Sequence, residues 1–502
     1  MSGLLTDQLR IMAGAYPDEV GYVDLWAKQD LTFEQWNRRS NQLARWFIAA
    51  GVGKGDRVAV HVPPEEALEW LVAYAAVHKA GAVAVPLSTR LVAREVGELL
   101  AHAAVVVAVT GRSTAPVLDA ARPHLPDLRS IVTTGSATSD GMVTWGAAVT
   151  GDDGDIQVPL DGDDIADIMY TSGTTGRPKG VVVRHRSASL LRTAKSEWSG
   201  AGWLHASPLF TFAGIASVYN PMKLGMRSLY LPRFDVGAWI DAVESERPTT
   251  VFLVPAMAEL LIAHSRFEEA DLSSIVMCSL GSAPLAPETL KQLQARMPKA
   301  TVSNAWGMTE AGPAFCFMPP EEARKRLGSV GRPMPPTEFR IVDDAGQPLP
   351  AGDVGELLVR NPGREREYYN DPVATADVWK DGWLHTGDLA RLDAEGFLYI
   401  VGRKKDVIIR GGHNVHAADV EAVLYEHPAI REAAVAAVPH DVLGEDVAAW
   451  VVTTDRASVT VDELLDFCAE RLADYKRPRR ITFVDQLPRN PTGKVVKAQL
   501  PR

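Results

Sequence analysis

The chain has 502 residues, 46% of them apolar and 23% charged, and a formal net charge of −11. This length is more than a single hydrophobic core accommodates and suggests about three domains. The acidic balance speaks against a broad nucleic-acid or anionic-membrane surface. Three widely spaced cysteines, Cys278, Cys316 and Cys468, make neither a disulfide framework nor a cysteine-only zinc site, as expected for a reducing, cytoplasmic setting. The N-terminal residues lack the pattern of a secretory signal, and the longest apolar runs fall far short of a membrane span.

The first third alternates helix and strand signals. Thr32 and Gln35 form a capping-box pattern ahead of Trp36, Leu43 and Phe47 at helical spacing. RVAVHV (57–62) reads as a strand, 65–80 as a helix, and AVAVPL (82–87) and VVVAV (105–109) as buried strands. This rhythm predicts parallel α/β architecture. Residues 111–164 are rich in Gly, Asp, Ser and Pro and read as loop. IADIMY (165–170) and GVVVRH (180–185) are strands flanking a polar Gly/Thr loop. A second α/β stretch covers about 200–320. From 328 to 401, short apolar runs between turn signals predict an antiparallel β subdomain, and beyond Lys405 the pattern becomes a small α+β unit.

The loop Tyr170-Thr-Ser-Gly-Thr-Thr-Gly-Arg-Pro-Lys-Gly180 carries the most chemistry. Its glycines let backbone N–H groups approach a ligand, its hydroxyls are neutral donors, and Lys179 is a point charge suited to polyphosphate. It is not a Walker A loop, because Lys179 is followed by Gly180 and a strand rather than by Ser or Thr opening a helix. A looser Gly/Ser/Thr loop would more often be a plain surface turn; here every position of a longer pattern is filled.

On that loop the chain resembles the adenylate-forming superfamily of acyl-CoA synthetases, amino-acid adenylation domains and luciferases. KAGAVAVPL (79–87), GSAPL (281–285), NAWGMTE (304–310), GSVGRP (328–333), DGWLHTGDL (381–389), VGRKKDVIIRGGHNV (401–415) and NPTGKVVK (490–497) follow in the family's order. The resemblance implies two half-reactions: a carboxylate attacks the α-phosphate of ATP to give an acyl adenylate, and a thiol, usually of coenzyme A, then displaces AMP. It implies that Thr171, Ser172, Gly173, Thr174, Thr175 and Lys179 hold the β- and γ-phosphates. Trp306 would face adenine, Thr309 would reach the α-phosphate and Glu310 would ligate Mg2+. Asp388 would accept from the ribose hydroxyls, joined by Arg403, and Lys494 would be the catalytic lysine. Lys405 would be the hinge between an N-terminal domain (1–404) and a mobile C-terminal domain (405–502), with Gly411 and Gly412 lining a pantetheine tunnel. Read alone, each of these residues is as readily a turn, core or solvated surface residue.

By the same resemblance the acyl pocket is lined by Phe212, Ala213, Ser282, Ala283, Ala305, Gly307 and Gly312, mostly small and uncharged. The expected substrate is therefore a neutral apolar acid, fatty or aryl. Thr211 stands where many acyl-CoA ligases have histidine, Ala417 where proline is usual, and Glu367 where glycine is usual. The basic run Lys476, Arg477, Arg479 and Arg480 either meets the CoA nucleotide or is a solvated face. The sequence thus points to an AMP-forming acyl-CoA ligase using ATP, Mg2+ and CoA. Loading of a carrier-protein phosphopantetheine is the alternative; luciferase-like oxidation and a non-catalytic nucleotide-binding regulator stand further off.

Overall fold

The computed structural model describes residues 4–137, 139, 141–171, 179–188, 191, 194–283, 285–312, 316–454, 459–490 and 494–501. The chain divides into two units: residues 1–252, 308–313 and 361–379 form the first, and 253–307, 314–360 and 380–502 the second.

The first unit holds an eight-stranded sheet in the order Glu367–Tyr368, Lys179–Arg184, Ile165–Thr171, Val83–Pro86, Arg57–His61, Val105–Thr110, Ser130–Thr133 and Met142–Thr144. From Ile165–Thr171 onward the neighbours are parallel, as the alternating helices demand. Helix Ala67–Lys79 is buried on nearly every side, which fits its largely apolar circumference. It shares a core with Trp36, Phe47, Tyr219 and Tyr230. Helix Phe33–Ala49 begins with the expected capping box of Thr32 and Gln35. Further strands of this unit run in parallel as Thr250–Leu253, Gly202–His205, Arg227–Tyr230 and Val20–Asp24, the last forming a hairpin with Gln29–Thr32.

The expectation of loop over 111–164 is corrected in part. Helix Ala115–Ala121 and strands Ser130–Thr133 and Met142–Thr144 lie there. These strands are four and three residues long, too short for a period to emerge from the sequence. They are held by pairing: Val107 with Ser130 and Ile131 with Met142.

The second unit carries the parallel pair Met277–Gly281 and Thr301–Ala305. Its antiparallel sheet runs Cys316–Phe317, Ser329–Pro333, Leu398–Arg403, Trp383–Leu392, Gly355–Arg360 and Glu338–Val342, the β subdomain expected from the turn signals. A third sheet pairs His413–His416, Val407–Arg410, Gly444–Thr453 and Ile430–His440, with Arg480–Phe483 parallel to Gly444–Thr453. Helices Ala417–Tyr425 and Val461–Arg471 cover it through Val420, Leu424, Leu464 and Cys468. The architecture is thus α/β with a β subdomain and a C-terminal α+β part, as expected. No helix among the described residues is long and apolar enough to cross a membrane.

Candidate active site

In the first unit, strands Ile165–Thr171 and Lys179–Arg184 form an antiparallel hairpin in which Thr171 and Lys179 are register partners. The hairpin therefore presents both ends of the glycine-rich loop at one place. Ser172, Gly173, Thr174 and Thr175 lie outside the described residues. Thr171 Oγ1 donates to Glu310 Oε1 at 3.1 Å, and Tyr368 Oη donates to the same oxygen at 3.4 Å. Lys179 Nζ lies 4.8 Å from the centroid of the Tyr368 ring. Burial, then the Glu310 carboxylate, pushes the Tyr368 phenol above its usual pKa. Tyr368 reaches this position because its short strand pairs with Lys179–Arg184, Tyr368 opposite Val181. Three sequence-distant segments thus converge on one carboxylate.

Thr309 and Glu310 occupy a single 3-10 turn, Thr309–Ala311. The buried Arg366 donates to the Thr309 carbonyl and, at 3.1 Å, to that of Ser187. Neither Tyr368 nor Arg366 figured among the expected site residues. In sequence they sit in a run of charges, REREYY (364–369), which looks like a solvated loop; the signal that could have found Tyr368 is its place beside the family's usual glycine.

One carboxylate with neighbouring hydroxyls fits Mg2+, which is usually held through one or two carboxylates while substrate phosphates and water supply the other ligands. A protein-only cage is not what the residues offer: among the described residues no group of three or more His, Cys, Asp or Glu could hold a metal ion.

In the second unit, Asp388 sits opposite Arg403 across paired strands Trp383–Leu392 and Leu398–Arg403. Arg403 Nε lies 2.7 Å from Asp388 Oδ1, and the Asp388 side chain is only 6% exposed. Trp306 Nε1 donates to Asp388 Oδ2 at 2.8 Å. Each carboxylate oxygen has thus accepted once and keeps a lone pair, as a ribose diol needs. Burial raises the Asp388 pKa from its ordinary 3.8, opposed by Arg403, the Trp306 hydrogen bond and the charge of Lys494. Lys494 is exposed, follows Asn490, and donates its backbone N–H to Asn490 Oδ1 at 2.9 Å. Trp306, Asp388 and Arg403, all named from sequence, are therefore in direct contact in this unit, with the charge of Lys494 acting on Asp388.

The expected acyl-pocket residues divide between the units. Phe212 and Ala213 open helix Phe212–Lys223, whose N-cap is Thr211. Thr211 Oγ1 accepts from Gly214 N at 3.0 Å and donates to Pro208 O at 2.7 Å. At the position where the family often has histidine, this chain has a helix cap, and threonine suits that task. Gly312 follows the Thr309–Ala311 turn at φ +67°, where a Cβ would lie 3.2 Å from Arg366 Nε. In the second unit, Ser282 and Ala283 follow strand Met277–Gly281, with Ser282 held at φ 72°. This left-handed conformation is uncommon for a side-chain-bearing residue and often accompanies a functional turn. Ala305 pairs with Gly281, and Gly307 follows two residues on.

Gly411 and Gly412 form the two-residue turn between Val407–Arg410 and His413–His416, at φ +55° and +84°. Positive φ at both positions is the demand of a type I′ hairpin, so turn geometry alone asks for glycine here. Lys405 is an exposed residue of the 3-10 turn Lys404–Asp406. In the basic run, Lys476 pairs with Asp419 at 2.6 Å, and Arg477 and Arg479 pair with Asp474 at 3.7 and 2.7 Å, as a solvated charged face would.

The sequence profile of the AMP-binding enzymes matches residues 9–369, and that of the AMP-binding enzyme C-terminal domain matches residues 419–494. A feruloyl-CoA synthase from Amycolatopsis sp is 36% identical over 479 residues, 94% of this chain and 94% of that protein. The long-chain-fatty-acid–CoA ligase FadD13 of Mycobacterium tuberculosis is 34% identical over 499 residues, 98% of this chain and 97% of its own. Among solved structures, ATP-bound MatB from Rhodopseudomonas palustris superposes with a TM-score of 0.86 at 28% identity, covering 98% of each chain. The matches show that the chain belongs to the AMP-binding, adenylate-forming enzymes, among their acid–thiol ligases.

Proposed function

We propose that this protein is an AMP-forming acyl-CoA ligase for a neutral apolar carboxylic acid, fatty or aryl. The observation that carries the reading is the convergence of Trp306, Arg403 and the charge of Lys494 on the buried Asp388 carboxylate. An aromatic face, a diol acceptor and a cation at one carboxylate make an adenosine monophosphate site.

In the first half-reaction a substrate carboxylate oxygen bonds to the α-phosphorus of ATP as the bond to pyrophosphate breaks. Charge accumulates on the α-phosphate oxygens, and positioned cations and donors are what lower such a barrier. Lys494 would bridge the incoming carboxylate and the α-phosphate, Thr309 would donate to the α-phosphate, and Thr171 and Lys179 would hold the β- and γ-phosphates. Glu310 would hold Mg2+, which neutralises phosphate charge when bound. Asp388, kept anionic by Arg403 and Trp306, would fix the ribose and with it the reacting phosphorus. In the second half-reaction the CoA sulfur bonds to the acyl carbonyl carbon and AMP leaves. Residues 405–502 would rotate at Lys405 between the two, bringing Gly411 and Gly412 to the pantetheine path.

Two features support a neutral acyl group. The candidate lining residues are uncharged and, Phe212 apart, small, and Arg366, the cation stacked 5.0 Å from the Phe212 ring, is engaged with backbone carbonyls. Relatives acting on a feruloyl and on a long-chain fatty acyl group bracket the choice. The test is pyrophosphate release and CoA-dependent AMP release across a panel of fatty, cinnamic and benzoic acids, with dicarboxylic and amino acids as contrast. A preference for amino or dicarboxylic acids would overturn the substrate class. Transfer to a carrier protein but not to CoA would replace the acceptor.

A further inference from the structure

Arg366 is 5% exposed, and no carboxylate hydrogen-bonds or ion-pairs with it among the described residues. A buried guanidinium normally faces a carboxylate. Here it spends donors on two carbonyls instead, that of Thr309 and, at 3.1 Å, that of Ser187. Ser187 ends the 3-10 turn directly after strand Lys179–Arg184. Thr309 opens the turn that carries Glu310. The same guanidinium stacks 5.0 Å from the Phe212 ring, and its Nε lies where a side chain on Gly312 would intrude. Burial pulls its pKa down to about 10, opposed by the charges of Asp167 and Glu310, so it stays charged at neutral pH. One cation thus ties three backbone segments: the strand beginning at Lys179, the turn bearing Thr309 and Glu310, and, through Tyr368 two residues on, the edge strand facing Glu310.

We propose that Arg366 is a positioning residue for adenylation, clamping the Thr309–Ala311 turn to the end of the phosphate-loop strand so that Thr309 and Glu310 meet MgATP in fixed register. The proposal rests on the roles given above to Thr309 and Glu310. A planar guanidinium suits this task because its donors diverge at fixed angles; an ammonium on a mobile stem reaches one carbonyl well or two poorly. Misplacing a site group by about 1 Å is enough to cost about a hundredfold in rate.

The experiment compares Arg366→Met and Arg366→Lys with the unsubstituted enzyme. Measured are ATP–pyrophosphate exchange at varied ATP, Mg2+ and acid, thioester formation from preformed acyl adenylate, and near-UV circular dichroism. For Arg366→Met we expect a fall of about 10–100-fold in kcat/KM for MgATP and a raised Mg2+ requirement. The thioester half-reaction should stay within about threefold. Arg366→Lys should fall between, and it decides the matter if Arg366→Met does not fold. Equal loss in both half-reactions, a change in acid KM alone, or exchange by the lysine variant at the unsubstituted rate would each overturn the clamp. Glu310→Gln, run alongside, separates the two levels. If it exchanges normally, the assignment of the ATP site fails; if it is crippled while the arginine variants are not, only the clamp fails.

Discussion

Trp306→Phe tests the adenosine site at a single hydrogen bond. Phenylalanine keeps an aromatic face for adenine and removes the Nε1–H that donates to Asp388 Oδ2 at 2.8 Å. Asp388 is 6% exposed on its side chain, so water does not readily replace the lost donor. A hydrogen bond to a charged group contributes about 1.5–3 kcal/mol, and one pKa unit corresponds to about 1.4 kcal/mol. The Trp306 hydrogen bond holds the Asp388 pKa down against burial, so its loss should raise that pKa further above 3.8. Asp388 acts as an anion, so activity is lost as pH falls through its pKa, and raising that pKa moves the acid limb of the profile to higher pH. The assay is kcat/KM for ATP in pyrophosphate exchange from about pH 5 to about pH 9. Stability carries the same sign. A carboxyl titrating above its unfolded value contributes stability below the unfolded pKa, and this is lost as pH rises through the folded one. The substitution should extend that loss to higher pH in a melting series. An acid limb that stays in place, or moves down, refutes the coupling between the indole and the carboxylate.

Three further predictions address the second unit. Lys494→Ala should lower acid-dependent pyrophosphate release by about 10²–10³ and retain most thioester formation from preformed acyl adenylate; equal loss in both assays removes the role. Lys405→Pro, which fixes φ, should leave exchange intact and block thioester formation, and normal overall turnover would refute a hinge there. Gly411→Asn separates two reasons for one glycine. Asparagine tolerates φ +55° and Asn-Gly suits a type I′ turn, so the melting temperature should hold or rise. If the turn also lines the pantetheine path, CoA thioester formation should fall at least about tenfold while exchange is unchanged. A variant that melts and turns over as before would leave Gly411 a turn residue and nothing more.

What could be read from the chain and what could not follow different physical rules. Local patterns carried well: the Thr32–Gln35 box caps the helix it was expected to cap, and the strands flanking the glycine-rich loop form a hairpin. The change of texture after 328 corresponds to an antiparallel sheet. The strands at 130–133 and 142–144 escaped because they exist only through pairing, the first with Val105–Thr110 over twenty residues upstream and the second, at the sheet edge, with the first. The candidate site divides in the same way. Asp388 and Arg403 were both named from motifs, yet that they are cross-strand partners follows from the register of two strands. Tyr368 and Arg366 were missed because their meaning lies in tertiary position: a charged run gives no hint that one arginine is buried against carbonyls while its neighbour Arg364 is not among the buried residues. Thr211 illustrates the converse. In sequence it stood only as a departure from the usual histidine; in the fold it caps a helix.

The net charge of −11 sets a problem that the local structure answers. An acidic protein that binds a triphosphate, a carboxylate and CoA must present cations whose charge its own acids have not cancelled. Arg403 does not meet that need, since Asp388 neutralises it at 2.7 Å; it opposes the burial that raises the Asp388 pKa. Arg366 does not meet it either, being turned to backbone carbonyls. Lys179 is held differently, over the neutral face of Tyr368, while Glu310 beside it draws its hydrogen bonds from the hydroxyls of Thr171 and Tyr368. Hydroxyl donors steady the carboxylate without consuming the lysine's charge, which on the proposed reading would meet phosphate. The same reasoning explains a tyrosine at position 368: its ring positions a cation and its hydroxyl positions an anion. Tyr368→Phe should therefore disturb Glu310 more than Lys179, raising the Mg2+ requirement of pyrophosphate exchange more than the KM for ATP. An equal rise in both would place the tyrosine's contribution in packing alone.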